Sequence, residues 1–189
     1  MKRKLILASN SPRRKELLKA YGFDFTVVAS SFEEKSLKLS PEQTVLLNAE
    51  GKAKDVFDKI ANENAVVLGA DTVVELNGEI LGKPKNQVHA REMLTELSGK
   101  THSVWTGYCI ISANQTIVKA EQTKVEFNNL SSELIDEYIS TGKPMDKAGA
   151  YGIQDGFELV KAFNGSFNNV VGLPIEVFEK KLREILTKN

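Results

Sequence analysis

The chain has 189 residues, of which 41% are hydrophobic, so it is long and apolar enough to bury a sizeable core. Its 25 basic and 25 acidic residues balance, which argues against binding to nucleic acid or to an anionic membrane. Cys109 is the single cysteine, which excludes an internal disulfide. It lies in an apolar run, which favours a buried, inert thiol. No segment resembles a signal peptide or a bilayer span, and we expect a cytoplasmic protein.

The stretch from Leu5 to Leu18 predicts a strand followed at once by a helix. Its apolar start fits a short buried strand, and Ser11 fits the N-cap of a helix that ends at Gly22. Arg13 and Arg14 fall in the first helical turn, where the helix dipole favours anions. Two interpretations stay open from this stretch alone: a bound anion such as phosphate, or two arginines that extend from an ordinary helix surface.

The remaining elements alternate between strand and helix signals. Apolar and β-branched runs predict strands at 23–29, 65–69, 101–113 and 116–127, and at 157–163. Capping and periodicity predict helices at 41–61, 86–99 and 131–142, and from residue 174 onward. Asn77-Gly78 predicts a two-residue hairpin turn, and Asn114-Gln115 a second turn. We therefore expect an α/β fold with a mixed, partly antiparallel sheet flanked by helices.

Charged side chains recur just after the predicted strands. Arg13 and Arg14 follow the first strand, Glu34 the second and Asp71 the third, and ligands bind at this edge of open α/β sheets. Two carboxylates without histidine or cysteine suit Mg²⁺ or Mn²⁺, especially when substrate phosphates supply further ligands. Lys83 and the two arginines would then bind those phosphates. The glycine-rich stretch 143–156 is long enough for a functional loop.

Several other kinds of site are excluded. The run G-E-I-L-G-K-P at 78–84 lacks the spacing and the hydroxyl of a P-loop. The chain has no dinucleotide-binding glycine pattern, no zinc-ligand spacing and no nucleophile elbow. Its basic residues are not interleaved with aromatic ones, which argues against a nucleic-acid-binding role.

The motifs of the chain resemble, in order and over nearly its whole length, those of the Maf family of nucleotide pyrophosphatases. They read L-I-L-A-S-N-S-P-R-R-K-E-L-L, F-E-E, A-x-x-K-A, G-A-D-T-V-V, L-G-K-P, L-S-G-K-T-H, D-K-A-G-A-Y-G-I-Q and V-V-G-L-P. The resemblance implies metal-dependent hydrolysis of a nucleoside triphosphate to the monophosphate and pyrophosphate. It also implies a single domain over 1–189 whose two lobes surround a cleft, as in the inosine triphosphate pyrophosphatases, and a homodimer.

The resemblance assigns roles to individual residues. Asp71 matches the family's catalytic aspartate, which accepts a proton from water and associates with metal, and Glu34 matches its partner carboxylate. Lys83 completes the predicted catalytic group. The residues that match the phosphate side are Ser9, Arg13, Arg14, Lys52 and Lys83. For Lys52, helical spacing alone favours an ordinary solvated lysine.

Base specificity is predicted from three further matches. Arg13, Thr72 and Gln154 agree with the family branch that acts on dTTP and UTP, whereas the branch that acts on 7-methyl-GTP replaces them. Asp155 departs from the family, which usually has glycine after the glutamine. A side chain there can alter the loop that carries Gln154, so the resemblance implies the reaction type more firmly than the base.

A second function class stays open from the sequence. The family has been linked to arrest of septum formation in bacteria, so the chain could bind nucleotide, or a cell-division protein partner, as a regulator. A protein that only binds phosphates gains nothing from carboxylates such as Glu34 and Asp71 beside them, unless a metal lies between. The paired carboxylates therefore favour the enzyme.

Overall fold

The computed structural model describes residues 3–34 and 39–187. Its α-helices are α1 Pro12–Ala20, α2 Pro41–Ile60, α3 Gln87–Leu97, α4 Ser132–Ser140, α5 Phe167–Val171 and α6 Ile175–Thr187. Its strands are β1 Lys4–Leu7, β2 Phe25–Val27, β3 Ala65–Leu76, β4 Glu79–Leu81, β5 Thr101–Ser112, β6 Gln115–Phe127 and β7 Val160–Asn164. Among these described helices, none has the length and apolar character needed to cross a bilayer.

The strands form one mixed sheet. Its order is β2-β1-β3-β5-β6-β7, and β4 pairs with β3 away from this path. Strand β1 is parallel to both neighbours, with Leu5 opposite Phe25 on β2 and Val66 on β3. Strand β4 is antiparallel to β3, and β7 is antiparallel to β6. The predicted α/β class with a partly antiparallel sheet is therefore confirmed.

The chain divides into two compact units. The first contains the described residues of Met1–Asp71, Thr106–Glu121 and Gly172–Asn189, and the second contains Thr72–Trp105 and Gln122–Val171. That the chain is one domain of two lobes stays a prediction. Hereafter they are called the first unit and the second unit.

The first unit has apolar clusters on both faces of its strands. Because side chains alternate along a strand, Leu5 and Leu7 pack with α1 and α6, while Ile6 and Ala8 pack with α2. The second unit has one cluster, in which α3 and α4 pack with apolar side chains of β3 to β6. Helices thus cover the sheet within each unit.

Local sequence signals placed several boundaries correctly. Asn77 and Gly78 have positive φ angles of 54° and 87° and connect β3 to β4, as the hairpin prediction requires. Ser40 and Gln43 form the predicted capping box at the start of α2. Asn86 caps α3 through its side chain in the same way that polar residues commonly begin helices.

Strand β3 corrects the most consequential prediction. We expected a strand that ends at Gly69, with Asp71 just beyond it, but the strand continues without interruption to Leu76. Asp71 therefore lies in the middle of a buried strand. The small residues Gly69 and Ala70 resemble a break in the sequence, yet tertiary packing keeps this segment extended.

Other predicted boundaries were wrong by smaller amounts. Strand β2 is limited to Phe25–Val27, β7 begins at Val160, and the turn before β6 contains residues 113–114. Ser11 is the N-cap of α1, but its side chain makes no capping hydrogen bond. The loop 143–156 contains two short 3-10 helices, and helix α5 was not predicted. Short elements carry too little periodic pattern to be recognised from sequence.

Candidate active site

Arg14 is anchored inside the first unit. Its Nε donates a hydrogen bond to the Gly172 carbonyl at 2.8 Å, and its Nη1 donates to Ser9 Oγ at 3.1 Å. Ser9 Oγ also accepts the backbone N–H of Ser11 at 3.2 Å, so this one hydroxyl links Arg14 to the residue that begins α1. The interpretation of Arg14 as a surface arginine is therefore wrong, because its guanidinium is buried and fixed.

The electrostatic surroundings of Arg14 are mixed. Burial lowers the pKa of its guanidinium, and the positive charge of half-buried Arg13 acts in the same direction. The negative charges of Asp71 and Glu34 oppose this shift. The first turn of α1 thus places two arginines near the two predicted carboxylates. The positive charge of these arginines would attract an anionic ligand.

Asp71 is held by two side chains of α2. Its Oδ1 accepts a hydrogen bond from Lys52 Nζ at 2.7 Å, and its Oδ2 accepts one from Asn48 Nδ2 at 3.0 Å. Asn48 and Lys52 are four residues apart and therefore project from the same face of the helix. Because Asp71 is buried, these donors compensate the cost of removing its charge from water.

Gly69 permits the close approach of α2 to β3. A Cβ at this position would meet the Ala49 carbonyl oxygen and would lie 2.8 Å from the Ala53 backbone nitrogen. Such contacts are shorter than ordinary packing allows, so only glycine lets the helix lie this close to the strand. This approach brings the face with Asn48 and Lys52 to Asp71.

Glu34 reaches the same ammonium group. Its Oε1 accepts a hydrogen bond from Lys52 Nζ at 2.6 Å, although the carboxylate itself is exposed. The segment before it is fastened to α2, because the Phe32 ring lies against Gly51 and Ser30 Oγ donates to Asp55 at 2.8 Å. The structure therefore brings the two predicted carboxylates to one lysine, and the solvated-lysine interpretation of Lys52 is wrong.

Three predicted site residues belong to the second unit. Thr72 follows Asp71 directly in β3 and is half-buried, whereas Lys83 and Gln154 are exposed. Lys83 lies just after β4, in the segment that contains Gly82, whose carbonyl accepts the Gly149 N–H at 3.0 Å. This hydrogen bond fixes the Lys83 segment to the loop 143–156.

The loop that carries Gln154 contains a polar network. Asp155 Oδ2 accepts a hydrogen bond from the Tyr138 hydroxyl at 2.6 Å and lies 3.3 Å from Lys147 Nζ. Gln154 Nε2 donates to the other carboxylate oxygen, Asp155 Oδ1, at 3.2 Å. Burial and the neighbouring Asp155 carboxylate raise the pKa of Tyr138, so its hydroxyl keeps its proton and acts as a donor. A short loop of irregular backbone is thereby held in one shape.

The donor set fits a divalent cation only with help from a ligand. Within residues 3–34 and 39–187, no group of three or more His, Cys, Asp and Glu side chains is arranged to hold a metal ion. Glu34 and Asp71 provide two hard oxygen donors, and Mg²⁺ is often bound by one or two carboxylates together with substrate phosphates. The two carboxylates therefore fit such an ion if phosphate oxygens complete its coordination and the Lys52 ammonium moves away from them.

Asn48 is the residue of the Asp71 cluster that sequence reasoning missed. It contacts Asp71 as directly as Lys52 does, and it is buried. The signal was present, because a polar residue one helical turn before Lys52 interrupts the apolar face of α2. The sequence alone did not show that this face meets Asp71, since that contact joins residues 23 positions apart.

The fold and the site define a mixed α/β protein in which a buried arginine and a half-buried lysine lie near a pair of acidic side chains. The chain also matches the family model described as "Maf-like protein" over residues 4–185. The chain therefore belongs to the Maf family, and the predicted resemblance is confirmed.

Curated relatives cover nearly the whole chain. A protein of Pyrococcus furiosus named dTTP/UTP pyrophosphatase is 51% identical over 180 residues, which is 94% of this chain and 93% of the relative. Proteins with the same name from Clostridium novyi and Bacillus cereus are each 46% identical. They cover 91% and 96% of this chain, and 92% and 95% of their own lengths.

Solved structures show weaker similarity. The Staphylococcus aureus Ham1 protein is 18% identical, with a TM-score of 0.46 over 67% of this chain and 73% of its own. The dITP/XTP pyrophosphatase of Mycobacterium abscessus is 13% identical, with a TM-score of 0.43 over 97% of this chain and 94% of its own.

Proposed function

We propose that this protein hydrolyses nucleoside triphosphates, with dTTP and UTP preferred, to the monophosphate and pyrophosphate. Support comes from the names of relatives that are 46% to 51% identical over nearly the whole chain. Modified pyrimidine nucleotides are further candidate substrates, which would give the enzyme a role in cleaning the nucleotide pool. The proposed site residues are Ser9, Arg13, Arg14, Glu34, Lys52 and Asp71 of the first unit, and Thr72, Lys83 and Gln154 of the second unit.

The observation that carries this proposal is the contact of Lys52 with both carboxylates. One ammonium lies 2.7 Å from Asp71 and 2.6 Å from Glu34, and Asp71 is also held by Asn48. A purely structural ion pair needs only one carboxylate for each lysine. A second carboxylate adds negative charge that is useful where a cation and phosphates must be bound together.

Asp71 accepts the proton of the attacking water in the proposed mechanism. The water oxygen forms a bond to the α-phosphorus, the bond from that phosphorus to the bridging oxygen breaks, and pyrophosphate leaves with that oxygen. Asn48 holds Oδ2 and so fixes the orientation of the carboxylate before substrate arrives, while Lys52 holds Oδ1 until the ligand takes its place. Glu34 and Asp71 would hold Mg²⁺ or Mn²⁺, which when bound neutralises phosphate charge and helps to acidify water.

Cations of the chain stabilise the charge that develops on pyrophosphate. Arg14 is suited to this role because Gly172 and Ser9 already fix its guanidinium, so binding costs little side-chain entropy. Arg13 and exposed Lys83 add two positive groups that can bind phosphate oxygens. Each such contact strengthens as negative charge moves to the leaving group.

Selection of the base rests on Gln154 and Thr72, with Arg13. The oxygen and an N–H of the Gln154 amide match the N3–H and a carbonyl oxygen of uracil or thymine. We expect a homodimer in the cytoplasm. The homodimer, the cytoplasmic location and the cell-division partner of the regulatory alternative all stay predictions.

The decisive experiment follows pyrophosphate and orthophosphate separately for a panel of nucleoside triphosphates, ordinary and modified, with Mg²⁺ or Mn²⁺. We expect pyrophosphate release, fastest from dTTP and UTP, and a loss of at least about 10²-fold in Asp71→Asn. Orthophosphate alone would move the cleavage to the terminal phosphate and contradict the proposal.

A matched control is available on the surface. Asp58→Asn makes the same chemical change in an exposed carboxylate that pairs with Lys54 on α2, and it should keep full activity. Full activity in Asp71→Asn would refute the assigned role. Tight nucleotide binding without release of either product would favour the regulatory alternative.

A further inference from the structure

Asp155, in the loop 143–156 of the second unit, has partners at both oxygens of its carboxylate. Tyr138 and Lys147 contact Oδ2, and Gln154 Nε2 donates to Oδ1. In addition, Lys143 Nζ donates to the backbone carbonyl of Asp155 at 3.1 Å. The carboxylate is thus fixed through Oδ2, and its Oδ1 holds the amide of Gln154, which is proposed to bind the base.

We propose that Asp155 is a specificity-determining residue, which orients the Gln154 amide so that the site prefers uracil and thymine to cytosine. This inference rests on the proposed function, because it assigns the base preference of that same site. Asp155 acts through Gln154 and does not contact the base itself. It is therefore a positioning residue.

The argument begins with the chemistry of the two side chains. An ionised carboxylate only accepts hydrogen bonds, whereas an amide has a donating nitrogen and an accepting oxygen. The nitrogen of Gln154 must therefore face Asp155, and the flipped amide would place two acceptor oxygens against each other. The second N–H and the oxygen Oε1 then form an edge whose order of donor and acceptor is fixed.

The order on this edge distinguishes pyrimidines. Uracil and thymine carry a donor at N3 and an acceptor at the neighbouring O4, whereas cytosine carries an acceptor at N3 and a donor amino group at C4. A base bound in one position therefore requires one order of the amide for uracil and the opposite order for cytosine. Fixing the amide fixes the choice, because the wrong base would face unpaired polar groups.

The surroundings of Asp155 keep its carboxylate in place. Lys147 Nζ also donates to the Lys143 carbonyl at 2.6 Å and to Asp146 at 2.9 Å, so all three of its protons have acceptors. The Tyr138 hydroxyl, besides donating to Asp155, accepts the Gly152 N–H at 2.9 Å. The aspartate is therefore attached both to helix α4 and to its own loop.

Gly152 shows how closely these side chains are gathered. A Cβ built at this position would lie 2.6 Å from Lys147 Cε, 2.8 Å from Gln154 Nε2 and 2.9 Å from Asp155 Cγ. Any side chain at Gly152 would push these groups apart. The space beside Gly152 is thus filled by the residues that orient the amide. This close packing supports a defined arrangement of the side chains rather than a chance surface contact.

The test compares kcat/KM for UTP with that for CTP in the wild type and in Asp155→Asn. Asparagine has nearly the same shape but can donate as well as accept, so it tolerates both orders of the Gln154 amide. We expect the UTP to CTP ratio to fall about tenfold, the effect of about one hydrogen bond, mainly through better use of CTP. A purely structural role would lower both values and leave their ratio unchanged.

The same substitution in a Gln154→Ala background completes the cycle. If Asp155 acts through Gln154, Asp155→Asn leaves the ratio of the Gln154→Ala protein unchanged. An equal fall of the ratio in both backgrounds would overturn the inference. Glu158→Gln, a carboxylate-to-amide change at an exposed residue three positions further on, should leave the ratio of the wild type unchanged.

The outcomes separate the inference from the function on which it rests. A wild type that releases no pyrophosphate from either nucleotide overturns the proposed function and this inference together. An active wild type whose UTP to CTP ratio survives Asp155→Asn overturns the inference alone. A ratio that falls in the wild type and not in the Gln154→Ala protein supports both.

Discussion

The cluster around Asp71 and the loop that carries Gln154 are built in opposite ways. In the first unit, Asn48, Lys52 and Asp71 project from a 20-residue helix and a 12-residue strand, and packing at Gly69 sets their distance. In the second unit, the loop relies on hydrogen bonds between side chains and on two 3-10 helices of three or four residues. Regular elements hold the proposed chemistry, and a loop fixed by side-chain hydrogen bonds holds the proposed choice of base.

This difference indicates which substitutions should affect all substrates and which should affect only the choice between substrates. A defect in the cluster removes groups that every triphosphate needs, so it should lower the rate for all of them. A defect in the loop alters how one base is read, so it should change ratios between substrates. Four predictions break or sharpen this comparison.

Lys52→Gln should have the largest effect. The change leaves buried Asp71 without its ammonium partner and removes a cation from the proposed phosphate side, so we expect kcat/KM to fall at least about 10²-fold. The UTP to CTP ratio should stay as it is in the wild type. Steady-state kinetics with both nucleotides measure the two quantities.

A neighbouring lysine provides the control for that experiment. Lys54→Gln removes a charge from the same helix, but Lys54 is exposed and pairs with Asp58 in a single helical turn. It should keep the full rate, since exposed pairs of this kind contribute little. A Lys52→Gln enzyme that loses only its base preference would contradict the assignment of chemistry to the cluster.

Acid should weaken the second unit through His102. Burial lowers the pKa of this histidine from 6.5 to about 4, while the unfolded chain still takes up the proton near 6.5. The unfolded state therefore binds more protons between these values, and stability is lost as the pH falls through this window. Between pH 7.5 and pH 4.5 we expect a loss of about 2–3 kcal/mol from this residue.

His102→Gln isolates that contribution. His102 Nε2 lies 2.6 Å from the hydroxyl of Tyr151, a buried residue of the loop 143–156, and a glutamine amide can also reach a hydroxyl without titrating. Urea unfolding at both pH values should show a smaller acid loss in the variant than in the wild type. Equal losses would mean that other groups cause the acid sensitivity.

Gln154→Ala should lower discrimination more than turnover. Losing the amide edge should reduce the UTP to CTP ratio about tenfold, because about one net hydrogen bond to the base is lost. The kcat for UTP should change less than the ratio does. Equal losses of kcat/KM on UTP, CTP and GTP would instead place Gln154 among the general groups of the site.

Cys109 should not react with thiol reagents in the folded protein. Burial raises the pKa of this thiol to about 12, and Cys109 lies in an apolar cluster of the first unit. An alkylating reagent at pH 8 should therefore leave the folded protein unlabelled and react fully in urea, as mass spectrometry would show. Fast labelling of the folded protein would mean that the first unit opens more readily than its buried core indicates.

Sequence reasoning succeeded where local chemistry decides the structure. Asn77-Gly78 marked the hairpin because a two-residue turn needs positive φ angles, and Ser40 with Gln43 marked the start of α2. The β-branched and apolar runs marked the long strands β5 and β6 as neighbours. Each of these signals is contained in a few consecutive residues.

It failed where distant parts of the chain decide. Asp71 resembles a residue beyond a strand, because Gly69 and Ala70 before it are poor strand formers. The interpretations of Arg14 and Lys52 as surface residues were wrong for the same reason, since their partners are Gly172 and two carboxylates far away in sequence. Family resemblance, not periodicity, placed Lys52 in the site.

Gly69 has a consequence for genetics. Any side chain at this position would collide with backbone atoms of α2, namely the Ala49 carbonyl and the Ala53 nitrogen. Trimming a neighbouring side chain cannot relieve a collision with backbone. A screen for loss-of-function alleles should therefore find position 69 although it has no chemical role, and a search for single second-site suppressors of those alleles should find none at the two alanines.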